Sequence, residues 1–146
     1  MGMIDVTEKP VIRRFAAASG RILLSRETVQ AVRDGRIRKG HPFPVAEVAG
    51  MNAAKQTHLL IPHCHQIALD TVSVTFEMLD AEVKVTCTVR AQARTGVEME
   101  AIVGATAALY TIWDMVKYLE KDGQGQYPGT TITDIRVDRK EKGIPA

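Results

Sequence analysis

Two runs of alternating residues joined by a short turn constrain this fold more than any other feature of the chain. Val72, Val74, Phe76 and Met78 alternate with Ser73, Thr75 and Glu77. Beyond Leu79-Asp80-Ala81-Glu82, the residues Val83, Val85, Cys87, Val89, Ala91 and Ala93 alternate with Lys84, Thr86, Thr88, Arg90, Gln92 and Arg94. A strand turns successive side chains to opposite faces, so this pattern predicts an antiparallel hairpin with one buried face. Cys87 falls on that face and reads as a small core residue rather than a reagent. A lone hairpin is marginal in water, so other elements must cover the apolar side.

The flanking sequence supplies them. Residues 11–24 read as an extended segment bent near Gly20. Ser25 is placed to cap a short helix carrying Glu27, Val29 and Val32 and ended by Gly35. The Ala-rich stretch 45–55 reads as a helix stopped before Pro62, and Gly50 inside it costs about 1 kcal/mol relative to Ala, which predicts a close backbone contact there. Thr95-Gly96-Val97-Glu98 matches a capping box for a long helix with an apolar stripe of Ile102, Leu109, Ile112, Trp113, Val116 and Leu119. A loop over 122–129 precedes a last, weakly apolar strand running from Ile132 to Asp138, of the kind found at a sheet edge. Strand, helices, hairpin, helix, strand is an α+β order: a mostly antiparallel sheet with helices packed on one face.

With 146 residues and no internal repeat, the chain is expected to be a single domain over 1–146. It is 45% hydrophobic and 25% charged, which suits a packed core. A net charge of +2 gives no ground for wholesale nucleic-acid binding. No stretch reaches the ~18 apolar residues of a membrane helix. Met1-Gly2 lacks the Ser or Thr at the sixth position that myristoylation wants, because Val6 stands there. Two cysteines, Cys64 and Cys87, and no signal-like N-terminus lead to the expectation of a reducing, cytoplasmic setting.

Three places carry more polar chemistry than a core requires. In Pro62-His63-Cys64-His65-Gln66, an extended backbone would turn His63 and His65 to one side, for acid–base work or as metal ligands, although zinc wants four well-spaced ligands. The alternative is a loop histidine without a role. In Glu98-Met99-Glu100, Glu98 has a structural duty in the capping box and Glu100 has none. Asp114 and Lys117 stand three apart on a helix, either as partners sharing a proton or as an ordinary surface ion pair. Lys39 sits in the basic loop between Gly35 and Gly40, Lys55 at a helix end, and Lys140 after the last strand. Each reads singly as a solvated charge, but together they suit a triphosphate, for which no Walker-type loop exists.

Read in order, these segments resemble the cyclic pyranopterin monophosphate synthase family over nearly the whole chain. The resemblance is carried by Met3-Ile4-Asp5-Val6-Thr7-Glu8-Lys9-Pro10 with Arg13-Arg14, by Gly35-Arg36-Ile37-Arg38-Lys39-Gly40, and by Ala49-Gly50-Met51-Asn52-Ala53-Ala54-Lys55-Gln56-Thr57. Leu60-Ile61-Pro62-His63-Cys64-His65, Thr95-Gly96-Val97-Glu98-Met99-Glu100-Ala101 and Ala108 through Lys117 follow in the family's order.

The resemblance implies a ferredoxin-like fold and a homohexamer built as a trimer of dimers, with its active site near a dimer interface. It implies conversion of 3′,8-cyclo-7,8-dihydro-GTP to cyclic pyranopterin monophosphate and pyrophosphate. By the same resemblance Asp114 and Lys117 are the catalytic pair. Arg14, Lys39, Lys55, His65, Glu98, Glu100 and Lys140 bind substrate or assist, while His63, Cys64 and Met99 line the pocket. The family's Leu-Cys-His-Pro is His63-Cys64-His65-Gln66 here, its Gly-Gly-Lys-Ser tail is absent, and residues 123–129 look inserted. No metal ligand set is implied. A magnesium ion is compatible with the triphosphate, but no carboxylate cluster demands one. Two competing readings are a sheet that stacks RNA bases and a small metal protein built on His63-Cys64-His65; the hairpin's polar face lacks the aromatics the first would need.

Overall fold

The hairpin forms as its alternation predicts. A computed structural model describes residues 1–145 and pairs β2 (Thr71–Met78) with β3 (Glu82–Ala93) antiparallel, with Val74 opposite Cys87 and Phe76 opposite Val85. The turn is closed by the Leu79 amide donating to the Glu82 carbonyl at 2.9 Å. β3 then pairs with β1 (Ile12–Leu23), which takes the centre of the sheet beside β4 (Thr131–Pro145) in the order β2-β3-β1-β4. Every pairing is antiparallel, and with the three helices between β1 and β2 standing together as one helical crossover the succession follows the ferredoxin-like β-α-β-β-α-β arrangement.

Helices cover one face only. α1 (Arg26–Arg33) starts at Ser25, whose hydroxyl accepts from the Thr28 amide, and ends near Gly35 at φ 67°. α2 (Pro42–Lys55) begins three residues earlier than the Ala-rich stretch suggested, with Pro at its first turn, where a missing N–H costs nothing. A single turn, α3 (Thr57–Leu60), separates it from Pro62. α4 (Glu98–Glu120) lies across β1 and β3 and packs along α2. Ala16, Ala18 and Ile22 of β1, Val83, Val85, Cys87 and Val89 of β3, and Leu109, Ile112 and Val116 of α4 lie in the buried cluster. Burying each Val, Ile or Leu contributes about 1.5–3 kcal/mol.

Small residues set how closely the two long helices approach. A Cβ on Gly50 would stand 2.9 Å from the Gly104 carbonyl oxygen, and one on Gly104 would stand 2.6 Å from Cys87 Sγ. That is the close contact the glycine in α2 predicted. Cys87 is fully buried, and desolvation pushes its thiol up to about 12, so it is a packing residue. No helix among the described residues is long and apolar enough to cross a membrane.

Four expectations need correction. The capping box does not form: Val97 is the N-cap residue, with no side-chain cap, and Glu98 is already the first helical residue. The chain at His63 is a turn, closed by the Cys64 amide on the Ile61 carbonyl at 3.1 Å, and not an extended segment. Lys140 lies inside β4 opposite Ala16, because that strand runs on past Asp138 along β1. Leu119 is exposed, while Ala101, Gly104, Ala105 and Ala108 occupy the buried side of α4 that the larger residues were expected to define.

Candidate functional site

The catalytic pair implied by the sequence sits near the C-terminal end of α4. Lys117 Nζ lies 3.0 Å from Asp114 Oδ1, as expected for helix neighbours three apart. Lys39 Nζ lies 2.7 Å from the other carboxylate oxygen, Asp114 Oδ2. The loop that carries Lys39 is pinned to α4, since the Arg38 amide donates to Tyr118 Oη at 2.9 Å and the Arg38 guanidinium stacks 4.6 Å above the Tyr118 ring. Gly40, at φ 99°, turns the chain back into α2. The three side chains are 49%, 54% and 41% exposed for Lys39, Asp114 and Lys117, so an incoming ligand can reach all of them.

Their electrostatics are one-directional. Hydrogen bonds from Lys39 and then Lys117 hold the Asp114 carboxyl below its ordinary range. The bond to Asp114 in turn raises Lys117 above its usual value of 10.5. A base would need the opposite shift, so in the free chain Lys117 is an ammonium that donates hydrogen bonds and neutralises charge.

The remaining candidates gather at the other end of α4. His63, Cys64 and His65 face Glu98, Met99 and Glu100 across a cavity of about 380 Å³. Lys140 Nζ reaches Glu98 Oε1 at 3.0 Å, and Glu98 Oε2 is buried with no hydrogen-bond partner among the described residues. Burial works against ionisation of Glu98, but its own backbone amide, Lys140 and Arg14 outweigh it and lower the pKa. Glu100 is only 4% exposed, and burial, reinforced by the charge of Glu98, raises its pKa. Burial, then Glu100 and Glu98, also raise the Cys64 thiol, which makes it a neutral wall and a poor nucleophile. Arg14 is buried and spends its guanidinium on the carbonyls of Ala93, at 3.2 Å, and Arg94, at 2.9 Å. That fixes the strand-to-helix corner on which Glu98 stands. His65 Nε2 lies 2.7 Å from the Ile4 carbonyl, which can only accept, so this nitrogen carries the proton.

One chain does not bring the two groups together. α4 is continuous from Glu98 to Glu120, and fourteen residues of helix separate Glu100 from Asp114 by about 21 Å. Lys55 is exposed at the end of α2, without an ion-pair partner among the described residues, and joins neither group by direct contact. No group of three or more His, Cys, Asp or Glu able to hold a metal forms among the described residues. Sequence reasoning missed the Lys39–Asp114 contact and the clamp made by Arg14; only the Gly-flanked loop hinted at the first.

Comparison with known proteins spans both groups of residues. The model of the MoaC family matches residues 3–143. A probable cyclic pyranopterin monophosphate synthase of Thermococcus kodakarensis is 51% identical over 141 residues, covering 97% of this chain and 90% of the relative. Another so described, from Aeropyrum pernix, is 51% identical over 142 residues, with 97% of each chain covered. A relative from Methanothermobacter thermautotrophicus, 49% identical over 140 residues with 96% of this chain and 88% of its own covered, is described as a probable accessory protein of that synthase. With α4, the Lys39 loop, the His-Cys-His turn and β4 as far as Lys140 all inside the matched span, the chain belongs to the MoaC family.

Proposed function

We propose that this chain is a cyclic pyranopterin monophosphate synthase of molybdenum cofactor biosynthesis, converting 3′,8-cyclo-7,8-dihydro-GTP to cyclic pyranopterin monophosphate and pyrophosphate. The observation that carries the reading is the family match from residue 3 to residue 143, which takes in every candidate site residue. The reaction opens a ring, closes a pyrazine and expels pyrophosphate as a cyclic phosphate forms, so protons must move between nitrogen and oxygen at several steps.

The residue chemistry suits that sequence of events. Asp114, ionised between two ammonium groups, fixes the positions of both lysines. Lys117 and Lys39 supply positive charge where the pyrophosphate leaves, and Lys117 has a proton to give. Glu100, kept protonated to higher pH than usual, is a second acid, set in a cavity lined by Cys64 and Met99. Lys140 and Arg14 hold Glu98 as the anion beside it. Any magnesium ion would arrive on the triphosphate, since the described residues offer no ligand cluster for it.

Both groups of residues serve one reaction if two subunits share each site. Glu100, Val103, Ala107, Tyr110, Asp114 and Lys117 follow one another at alternating spacings of three and four, which lays them along one stripe of α4. Two copies of that stripe, packed antiparallel about a two-fold axis near Ala107, set Glu100 of one chain against Asp114 and Lys117 of the other. Tyr110, 62% exposed in the isolated chain, would be covered in that dimer. We place the enzyme in the cytoplasm as a homohexamer of three such dimers. Incubation with the cyclised GTP tests the assignment: pyranopterin and pyrophosphate should appear in equal amounts, and no pyrophosphate release by the folded protein would sink it.

A further inference from the structure

We infer that the open face of the sheet carries a second ligand site, distinct from the one at α4, which takes a nucleoside phosphate through a basic cavity centred on Phe15. The side chains of β1 alternate, so Arg14 and Ala16 turn toward the helices while Arg13 and Phe15 turn away from them. Among the described residues no helix covers that side. A cavity of about 440 Å³ opens there between the ends of β1, β3 and β4, within the usual size range of small-molecule sites.

Its lining is strongly cationic. Arg13, Arg90 and Lys142 all border the cavity, and none of them has an ion-pair partner among the described residues. Arg139 also borders it and is partly neutralised by Glu141. Three unneutralised cations around one concave surface repel one another, and a ligand with two or three phosphate charges relieves that repulsion. The cations are also ordered. Phe15 sits opposite Arg90 in the β1–β3 register, and the guanidinium carbons of Arg90 and Arg139 lie 5.2 and 5.5 Å from the ring centroid. A guanidinium set beside an aromatic ring can also take a heterocycle against its free face. Asp70 at the rim supplies acceptors for the edge of a base or for ribose hydroxyls. Charge alone would fit any polyphosphate, but guanidinium groups beside an aromatic ring and a carboxylate in the lining favour the nucleoside form.

Calorimetric titration of the full chain with ATP, and separately with tripolyphosphate, tests this. ATP should bind more tightly than tripolyphosphate, and the Arg13→Gln/Arg90→Gln double variant should weaken ATP by about tenfold or more, as expected for losing charge-assisted bonds. Phe15→Leu keeps the apolar volume but removes the ring that orders Arg90 and Arg139, so it should weaken ATP more than tripolyphosphate. Lys39→Gln, altered only at the α4 site, should retain this binding. Lys142→Gln, on the exposed end of β4, provides a second reading should the double variant melt before titration. Equal affinity for ATP and tripolyphosphate overturns the nucleoside assignment. Loss of binding in Lys39→Gln, or full binding by the folded arginine and lysine variants, overturns the site.

Discussion

Lys39 reaches across 75 residues of sequence to the Asp114 carboxylate and takes the oxygen that Lys117 leaves free. Both oxygens of the carboxylate are thus committed to ammonium groups, and Asp114 is ionised down to pH values below the ordinary 3.8 of its side chain. An amide in its place keeps the size and one acceptor but loses the charge that holds the two lysines together. Asp114→Asn is therefore expected to fold and assemble normally while pyrophosphate release falls to background. Turnover near the wild-type rate, measured on protein with an unchanged melting curve, would return Asp114 to the solvated surface.

The same shifts set the pH profile. Lys117 is raised, so its pairing is complete below 10.5 and is lost as pH rises through the higher folded value. Asp114 is lowered, so its contribution is present above 3.8 and is lost as pH falls through the lower folded value. Between those limits neither Asp114 nor Lys117 titrates. Glu100 does, because burial raises it above its ordinary 4.5. Its neutral form favours the fold below 4.5, and that advantage disappears as pH rises through the raised value. Relative to wild type, Glu100→Gln should therefore gain urea resistance on moving from pH 4 toward neutrality. A stability difference between the two proteins that stays constant across that range removes Glu100 from the effect.

The lysines are separable by inhibition. Lys39 is tied to Asp114 and Lys55 has no ion-pair partner among the described residues, but both would meet the triphosphate in the shared site. Pyrophosphate should become a weaker inhibitor in Lys39→Gln and in Lys55→Gln. Only Lys39→Gln should also depress kcat, since it alone releases Asp114. Unchanged inhibition constants in both variants would leave the triphosphate without these partners.

Packing at the helix crossing gives a prediction about stability alone. A methyl on Gly104 meets Cys87 Sγ at 2.6 Å and the Gly50 carbonyl oxygen at 3.2 Å, so sheet and helix press on it from two sides. Gly104→Ala is expected to cost about 1–3 kcal/mol, typical of overpacking, despite the better helix propensity of Ala. Denaturant titration checks it; a variant more stable than wild type would mean that α2 moves aside freely.

How much of this was legible in the sequence follows from how far each signal reaches. The hairpin was readable because alternation is local and the apolar residues are large. The cap of α1 was readable for the same reason, with Ser25 and Thr28 three apart. The inner face of α4 was misjudged because Ala101, Gly104, Ala105 and Ala108 carry little hydrophobic signal, yet they are what lets α2 come close. Thr95 and Glu98 have the capping-box spacing, but Glu98 turns to Lys140 on a strand forty-two positions away, a competitor that no local pattern can reveal. Lys39 and Asp114 are separated further still. The site residues came from the family resemblance, and only the fold put charge partners beside them.

The last prediction concerns which chain supplies which residue. Glu100 and Asp114 lie on one unbroken helix with about 21 Å between them, and no bend in α4 closes the gap. A substrate in contact with both must therefore lie between two helices. If two copies pair antiparallel, each dimer holds two sites, and each site takes Glu100 from one chain and Asp114 from the other. Glu100→Gln and Asp114→Asn are each expected to be inactive alone. When they are mixed under conditions that exchange subunits, about half of the dimers are hybrids, and in each hybrid one site receives both lesions while the other receives none. About a quarter of full activity should then return, growing in at the rate of subunit exchange. If both residues of a site came from the same chain, every site would keep one lesion and the mixture would stay inactive after complete exchange. A double variant carrying both changes in one chain separates the outcomes further: mixed with wild type it gives hybrids in which both sites hold one lesion, so activity falls toward a quarter instead of a half.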